Sequence, residues 1–345
     1  MSRNVLSGTA LACLCTVCTA FGLKVYLVGN SVTDVVNYNG LAAQATAKGF
    51  SHTWARHMIP GAPLEWLWEH RTEGFQESPY GYPENAFANY DWDVLTLQPF
   101  DRKLDSDTLY AGKYMTTCHA RSTNVQVYIY SRWMRGPHGD TLDRPDVTAG
   151  KWDTLWHRTY TGGWDGTEES KDYFERLTQA LRALYTSYKT VLMIPAGDVL
   201  HLLNDQARAG QLSAYSIDEA WDFYSDGIHF NNMGSYVVGC TFFATIYKTD
   251  PRGMSVPSQY GSIPAGLVTI IQNAVWSIVS THPLAGVSGN VVVSPGPLRV
   301  YQPRQSEAQP GRLFALDGRW APPSGGLPGV FLRQGSAERT VRIVR

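Results

Sequence analysis

The chain has 345 residues, 43% of them hydrophobic, with 11 Trp, 19 Tyr and 12 Phe, enough for one large core and a small appendage. A formal net charge of −1 argues against nucleic acid or an anionic membrane as a partner. The charge is uneven: residues 291–345 hold eight Arg, no Lys and three acids, a local charge of +5.

Residues 1–20 are predicted to be a signal peptide. Arg3 gives a positive start, the apolar run from Val5 to Val17 is too short to span a bilayer, and Cys18-Thr19-Ala20 supplies small residues before a cut. Of five cysteines only Cys118 and Cys240 would then remain, so no disulfide scaffold is expected, although one bridge is possible. No later stretch approaches about 18 consecutive apolar residues, so stable membrane insertion is not expected.

Residues 21–283 read as one α/β domain. Short apolar runs at 24–28, 53–59, 94–97, 125–130 and 191–194 are rich in Val, Ile, Leu and Tyr, as parallel strands buried on both faces should be. Amphipathic stretches at 35–48, 107–120, 168–188 and 235–247 alternate with them. This alternation predicts right-handed crossovers and a doubly wound parallel sheet, with any ligand at the carboxyl ends of the strands. Residues 136–167 interrupt it as a long polar insertion holding Trp152, Trp156 and Trp164. Residues 284–297 form a Gly/Ser/Pro-rich linker. Beyond it, strand-like pieces at 298–301, 313–316, 330–332 and 340–344, set between Gly and Pro turns, predict a small β-sandwich-like domain over 298–345.

The first strand runs into Gly29-Asn30-Ser31-Val32-Thr33 and then a helix. A serine at that junction meets free backbone N–H groups and a helix dipole that favour an oxyanion. The plainer reading is that Ser31 or Thr33 caps the helix. Far along the chain stands Asp226-Gly227-Ile228-His229. A serine hydroxyl needs a base, histidine's ordinary pKa of about 6.5 suits that task, and the imidazole needs a carboxylate to hold its tautomer. Asp and His three residues apart supply both from one loop; the plainer reading is an Asp helix cap with an incidental histidine.

The Gly29-Asn30-Ser31-x-Thr33 stretch, the Gly61 loop after the second strand and Asp226-Gly-Ile-His229 resemble, in order and wide separation, blocks I, II and V of the SGNH/GDSL hydrolase family. The resemblance frames residues 23–247. It implies a flavodoxin-like sheet, a serine esterase activity without cofactor, a Ser31–His229–Asp226 triad, and an oxyanion hole from the N–H groups of Ser31 and Gly61. The family's third-block asparagine is absent. Gln98, at the end of the 94–97 strand, also carries an amide and is the expected substitute donor.

The insertion tryptophans, with Trp133 at the end of the fourth strand, suggest a platform for sugar rings, and hence removal of O-acyl (acetyl) groups from carbohydrate. The alternatives are that these indoles pin the loop down, or that a lipid or small-alcohol ester is the substrate. The histidines and cysteines show none of the usual metal-ligand spacings, so no metal is expected. A non-catalytic carbohydrate-binding protein on the same scaffold is the rival from another class. A nucleotide-binding protein is weaker, since no Gly-x-Gly-x-x-Gly or phosphate loop follows the first strand. Leu298-Arg-Val-Tyr301, Leu313-Phe-Ala-Leu-Asp-Gly-Arg319 and Leu327-Pro-Gly-Val-Phe-Leu-Arg333, with the 340–345 ending, resemble a type IX secretion sorting domain, which implies a secreted or cell-surface location.

Overall fold

The computed structural model describes residues 22–100, 102–136, 149–162 and 170–287, and four short strands between 313 and 344. The expected signal peptide, the 298–301 strand and Trp164 lie outside the described residues.

Six strands form the central sheet: β1 (Gly22–Gly29), β2 (Ser51–Met58), β3 (Phe75–Gln76), β4 (Val94–Leu97), β5 (Gln126–Ser131) and β6 (Leu192–Pro195). Their order is β3-β2-β1-β4-β5-β6, all parallel except the short β3, which pairs antiparallel with β2 at one edge. Val25 to Val28, Val94 to Leu97 and Leu192 to Ile194 are buried without alternation, because helices cover the sheet on both sides.

After β1 come α1 (Ser31–Asp34) and α2 (Tyr38–Ala47), after β2 come α3 (Leu64–Glu69) and α4 (Pro83–Asn89), and after β4 comes α5 (Leu104–His119). Between β5 and β6 the chain forms α6 (Ala149–Trp156) and α7 (Lys171–Leu184); α8 (Ala196–Arg208), α9 (Asn232–Tyr247) and α10 (Ala265–Val279) follow β6. Helices α2, α8, α9 and α10 pack on one another, while α3, α5 and α7 form a second set. Helix α9 is apolar all round and buried from Tyr236 to Tyr247, as a helix sandwiched between sheet and other helices must be.

The continuous helix expected over 35–48 is broken. Asn37 takes a left-handed conformation (φ 54°) and its side-chain oxygen accepts the Gly40 N–H at 3.1 Å, so α2 starts afresh behind its own cap. Cys118 on α5 and Cys240 on α9 are both buried and free, and burial pushes each thiol up to about 12. The possible bridge does not form.

In the carboxyl-terminal segment, β7 (Leu313–Ala315), β8 (Trp320–Ala321), β9 (Gly329–Arg333) and β10 (Thr340–Val344) make an antiparallel sheet in the order β10-β9-β7-β8.

Candidate active site

The chain leaves β1 toward β2 on one side and continues through β4, β5 and β6 on the other, so the sheet has its switch point between β1 and β4. Connections diverge there and open a crevice at the carboxyl ends. Ser31 follows β1 directly, and Gln98 follows β4.

Asn30 caps α1, its Oδ1 accepting the Val32 N–H at 2.9 Å. With that end of the helix served by Asn30, the Ser31 hydroxyl is free for another partner, and it lies 2.8 Å from His229 Nε2. Helix α9 is likewise capped by Asn231, which accepts the N–H groups of Met233 and Gly234. Asp226 is thereby released from the capping role. Its Oδ2 lies 2.7 Å from His229 Nδ1, and its Oδ1 accepts the N–H groups of Ile228 (2.8 Å) and His229 (2.7 Å).

These partners settle the imidazole's protons. An ionised carboxylate only accepts, so Nδ1 carries the hydrogen and Nε2 presents its lone pair to the Ser31 hydroxyl. Burial pushes the Asp226 carboxyl up, but the two backbone N–H groups and the imidazole outweigh it and hold the group below the usual carboxylate range. The His229 and Asp226 side chains are 34% and 47% exposed, so the group is open to solvent and to a ligand.

The turn that carries this pair is held from both sides. Tyr224 and Phe230 form an antiparallel bridge across its base, and Ser225 donates its N–H to the His229 carbonyl at 2.9 Å. From the segment after β5, Gly136 donates its N–H to Gly227 O (2.7 Å) and Trp133 its indole N–H to Ile228 O (2.8 Å). Tyr224 returns a hydroxyl bond to Met134 O at 2.7 Å.

Gly61 sits at φ +66°, where only glycine is comfortable, and a Cβ there would meet nothing within 4 Å. Next to it, Ala62 O accepts the Asn30 side-chain amide at 3.2 Å, which ties this loop to the residue before Ser31. Among the described residues neither the Ser31 nor the Gly61 N–H has a hydrogen-bond acceptor.

Gln98 departs from expectation. It is fully buried; its Oε1 accepts the Asn30 N–H and the Thr33 hydroxyl, both at 3.0 Å, and its Nε2 donates to Pro99 O at 2.9 Å. Because Asn30 N–H can only donate and Pro99 O can only accept, the amide orientation is fixed by its partners. The longer glutamine arm folds back onto the β1–α1 junction as a brace. Gly29 must be glycine beside it, since a Cβ would fall 1.9 Å from Thr33 Oγ1 and 2.8 Å from Gln98 Oε1.

The expected sugar platform is also corrected. Trp133, Trp152 and Trp156 are each fully buried. Trp133 stacks on Phe230 at 3.7 Å, and Trp152 donates its indole N–H to the Tyr224 hydroxyl at 3.1 Å. Trp156 lies against Gly197, where a Cβ would come within 2.1 Å of the indole. Large apolar rings bring more stabilisation in a core than on a surface, so Trp152 and Trp156 pin α6 into the domain. Tyr224, Phe230 and Gly136 are supporting residues that sequence reading passed over; the aromatics on either side of Asp226-Gly-Ile-His229 were the available signal.

No family model matches the chain, and no curated protein sequence matches it. Among solved structures, a DUF4886 family protein from Bacteroides uniformis is similar with a TM-score of 0.53 and 15% identity, over 75% of this chain and 95% of that one. A candidate SGNH hydrolase from Slackia heliotrinireducens (TM-score 0.39, 15% identity, 65% of this chain and 99% of that one) and a carbohydrate esterase family 3 from Talaromyces cellulolyticus (0.36, 13%, 68% and 100%) are also similar. The first of these shows the shared fold: a mixed α/β domain built on a mostly parallel six-stranded sheet.

Proposed function

We propose that the protein is a serine esterase that cleaves carboxylic esters through an acyl-enzyme. One observation carries the reading: Ser31, His229 and Asp226 form a relay with links of 2.8 and 2.7 Å, at the switch point of the sheet. His229 Nε2 takes the Ser31 proton as Oγ attacks the ester carbonyl. The tetrahedral oxyanion is held by the N–H groups of Ser31 and Gly61. His229 then passes its proton to the leaving alcohol, and water, deprotonated by the same nitrogen, releases the acid and restores Ser31. Asp226 stays ionised throughout and stabilises the imidazolium.

The buried indoles withdraw the argument for a glycan, so the reading concerns the ester bond itself, and O-acetyl carbohydrate stands beside lipid and small-alcohol esters as a substrate class to be tested. A secreted or cell-surface location, from the signal-peptide-like start and the sorting-domain resemblance, belongs to the same proposal. The test is labelling with a fluorophosphonate probe beside a panel of acetylated sugars and aryl esters of graded chain length. Native protein should label and hydrolyse at least one ester, and Ser31→Ala should do neither. Equal labelling of both would remove Ser31 from the chemistry.

A further inference from the structure

We propose that the protein binds one divalent transition metal, of the zinc type, between α6 and α8. Asp153 and His157 stand four residues apart on and just after α6, which places them on one side of it. His201 faces them from α8. Asp153, His157 and His201 each offer one ligand atom within 4.8 Å of the others, and the Nε2 atoms of the two imidazoles are 3.1 Å apart. The two rings meet edge to face at 85°, so their nitrogens converge on a point while the rings keep clear of each other.

Hydrogen bonding does not account for this convergence. His201 Nε2 touches both Asp153 Oδ1 and His157 Nε2. That nitrogen has either one proton or one lone pair, which serves one neighbour well and leaves the other contact unmatched. A cation at the centre serves all three. With Zn–N and Zn–O bonds of about 2.0–2.2 Å, the edge of a tetrahedral site is roughly 3.3 Å; the two nitrogens, 3.1 Å apart, stand near that edge, while Asp153 and His201 are in direct contact and would move apart to admit the ion. Two imidazoles and one carboxylate suit zinc and its neighbours, and a calcium or magnesium site would be built from oxygen. On the far side of the His201 ring, Asp205 Oδ2 lies 3.5 Å from Nδ1, the carboxylate that commonly orients a metal-bound histidine. Three protein ligands leave the fourth position to water.

Such an ion would clip α6 to α8. Trp152, beside the Asp153 ligand, lies parallel to the His201 ring and donates its indole N–H to Tyr224, two residues before Asp226. The site touches no atom of the Ser31–His229–Asp226 group, so its test is independent of the esterase reading.

The full chain, purified without a histidine tag, is assayed for metal by mass spectrometry. It is then stripped with chelator and titrated with zinc chloride, following binding with a competing chromophore and melting by calorimetry. The expected result is one zinc per chain and a melting temperature several degrees higher with zinc than without, with no such response to magnesium. His157 is exposed, so His157→Ala should fold, and it should weaken zinc binding at least tenfold. Asp205→Asn should weaken it by about 10–100-fold. An unchanged melting temperature with saturating zinc, or His157→Ala binding zinc as tightly as the native chain, would overturn the proposal.

Discussion

Gln98 holds the Asn30 N–H at 3.0 Å with the same oxygen that takes the Thr33 hydroxyl. The end of β4 is thereby bolted to the end of β1, one residue before Ser31. A buried acceptor at this position fixes where the serine emerges, and its removal strands a buried donor, at a cost of about 1–3 kcal/mol.

Gln98→Ala should therefore lower unfolding free energy by that amount and reduce kcat together with it, measured by denaturant titration and ester hydrolysis on one preparation. A fall of 10²–10³ in kcat with unchanged stability is the loss typical of an oxyanion donor, and would return Gln98 to that role.

Asp226→Asn should lower turnover by on the order of 10³–10⁴, the scale seen when a triad loses its carboxylate and the imidazole takes the wrong tautomer. The effect should fall on kcat, with KM little changed. In the native protein Asp226 is held below the usual carboxylate range, so it remains ionised through mild acid. Asp226 should consequently add no step of its own to the acid limb of the rate profile above the usual carboxylate range. The same carboxylate stabilises the fold above its ordinary pKa, and that contribution is lost only as pH falls through the lower, folded value. Direct titration of the Asp226 carboxyl, followed by carbon NMR, that placed its midpoint at or above the ordinary carboxylate value would contradict this.

Trp133→Phe keeps the ring stacked on Phe230 and removes the indole N–H that holds Ile228 O. The turn carrying His229 should loosen. We expect kcat to fall several-fold on a small aryl acetate and on an acetylated glycan alike, with KM nearly constant on both. A rise in KM confined to the glycan would instead place Trp133 in contact with substrate.

His57 is fully buried, its Nε2–H directed to Glu73 O at 3.1 Å, and burial lowers its pKa to about 4; His52 is lowered to about 4 by the same cause. Unfolded histidine takes its proton near 6.5. Between those values the unfolded chain binds more protons than the native one, so stability falls as pH drops from about 6.5 to 4 and levels off below. For His57 the full effect is on the order of 3 kcal/mol. Chemical denaturation across that range should show the slope, and His57→Gln should roughly halve it, His52 supplying the remainder; an unchanged slope would mean the His57 ring is already charged in the folded protein.

The parallel strands were legible in the sequence because burial on both faces writes an unbroken apolar run, and β4 at Val94–Leu97 falls on the residues expected. The Asp226–His229 pair was legible because three residues on one turn fix their separation locally. Helices α3 and α4 were not, being short and started at prolines, nor was α8, which leaves β6 with no loop to mark it. The break at Asn37 also escaped, since a left-handed residue costs little for asparagine and leaves no apolar signature. What the tertiary structure alone decided is direction and partnership over long separations. It turned Gln98 toward Asn30, 68 residues away, the Trp133 indole toward Ile228, 95 away, and His201 toward His157, 44 away. An amide, an indole or an imidazole has the same chemistry wherever it stands in a chain; only packing chooses whether it meets a substrate, a metal or a neighbouring carbonyl.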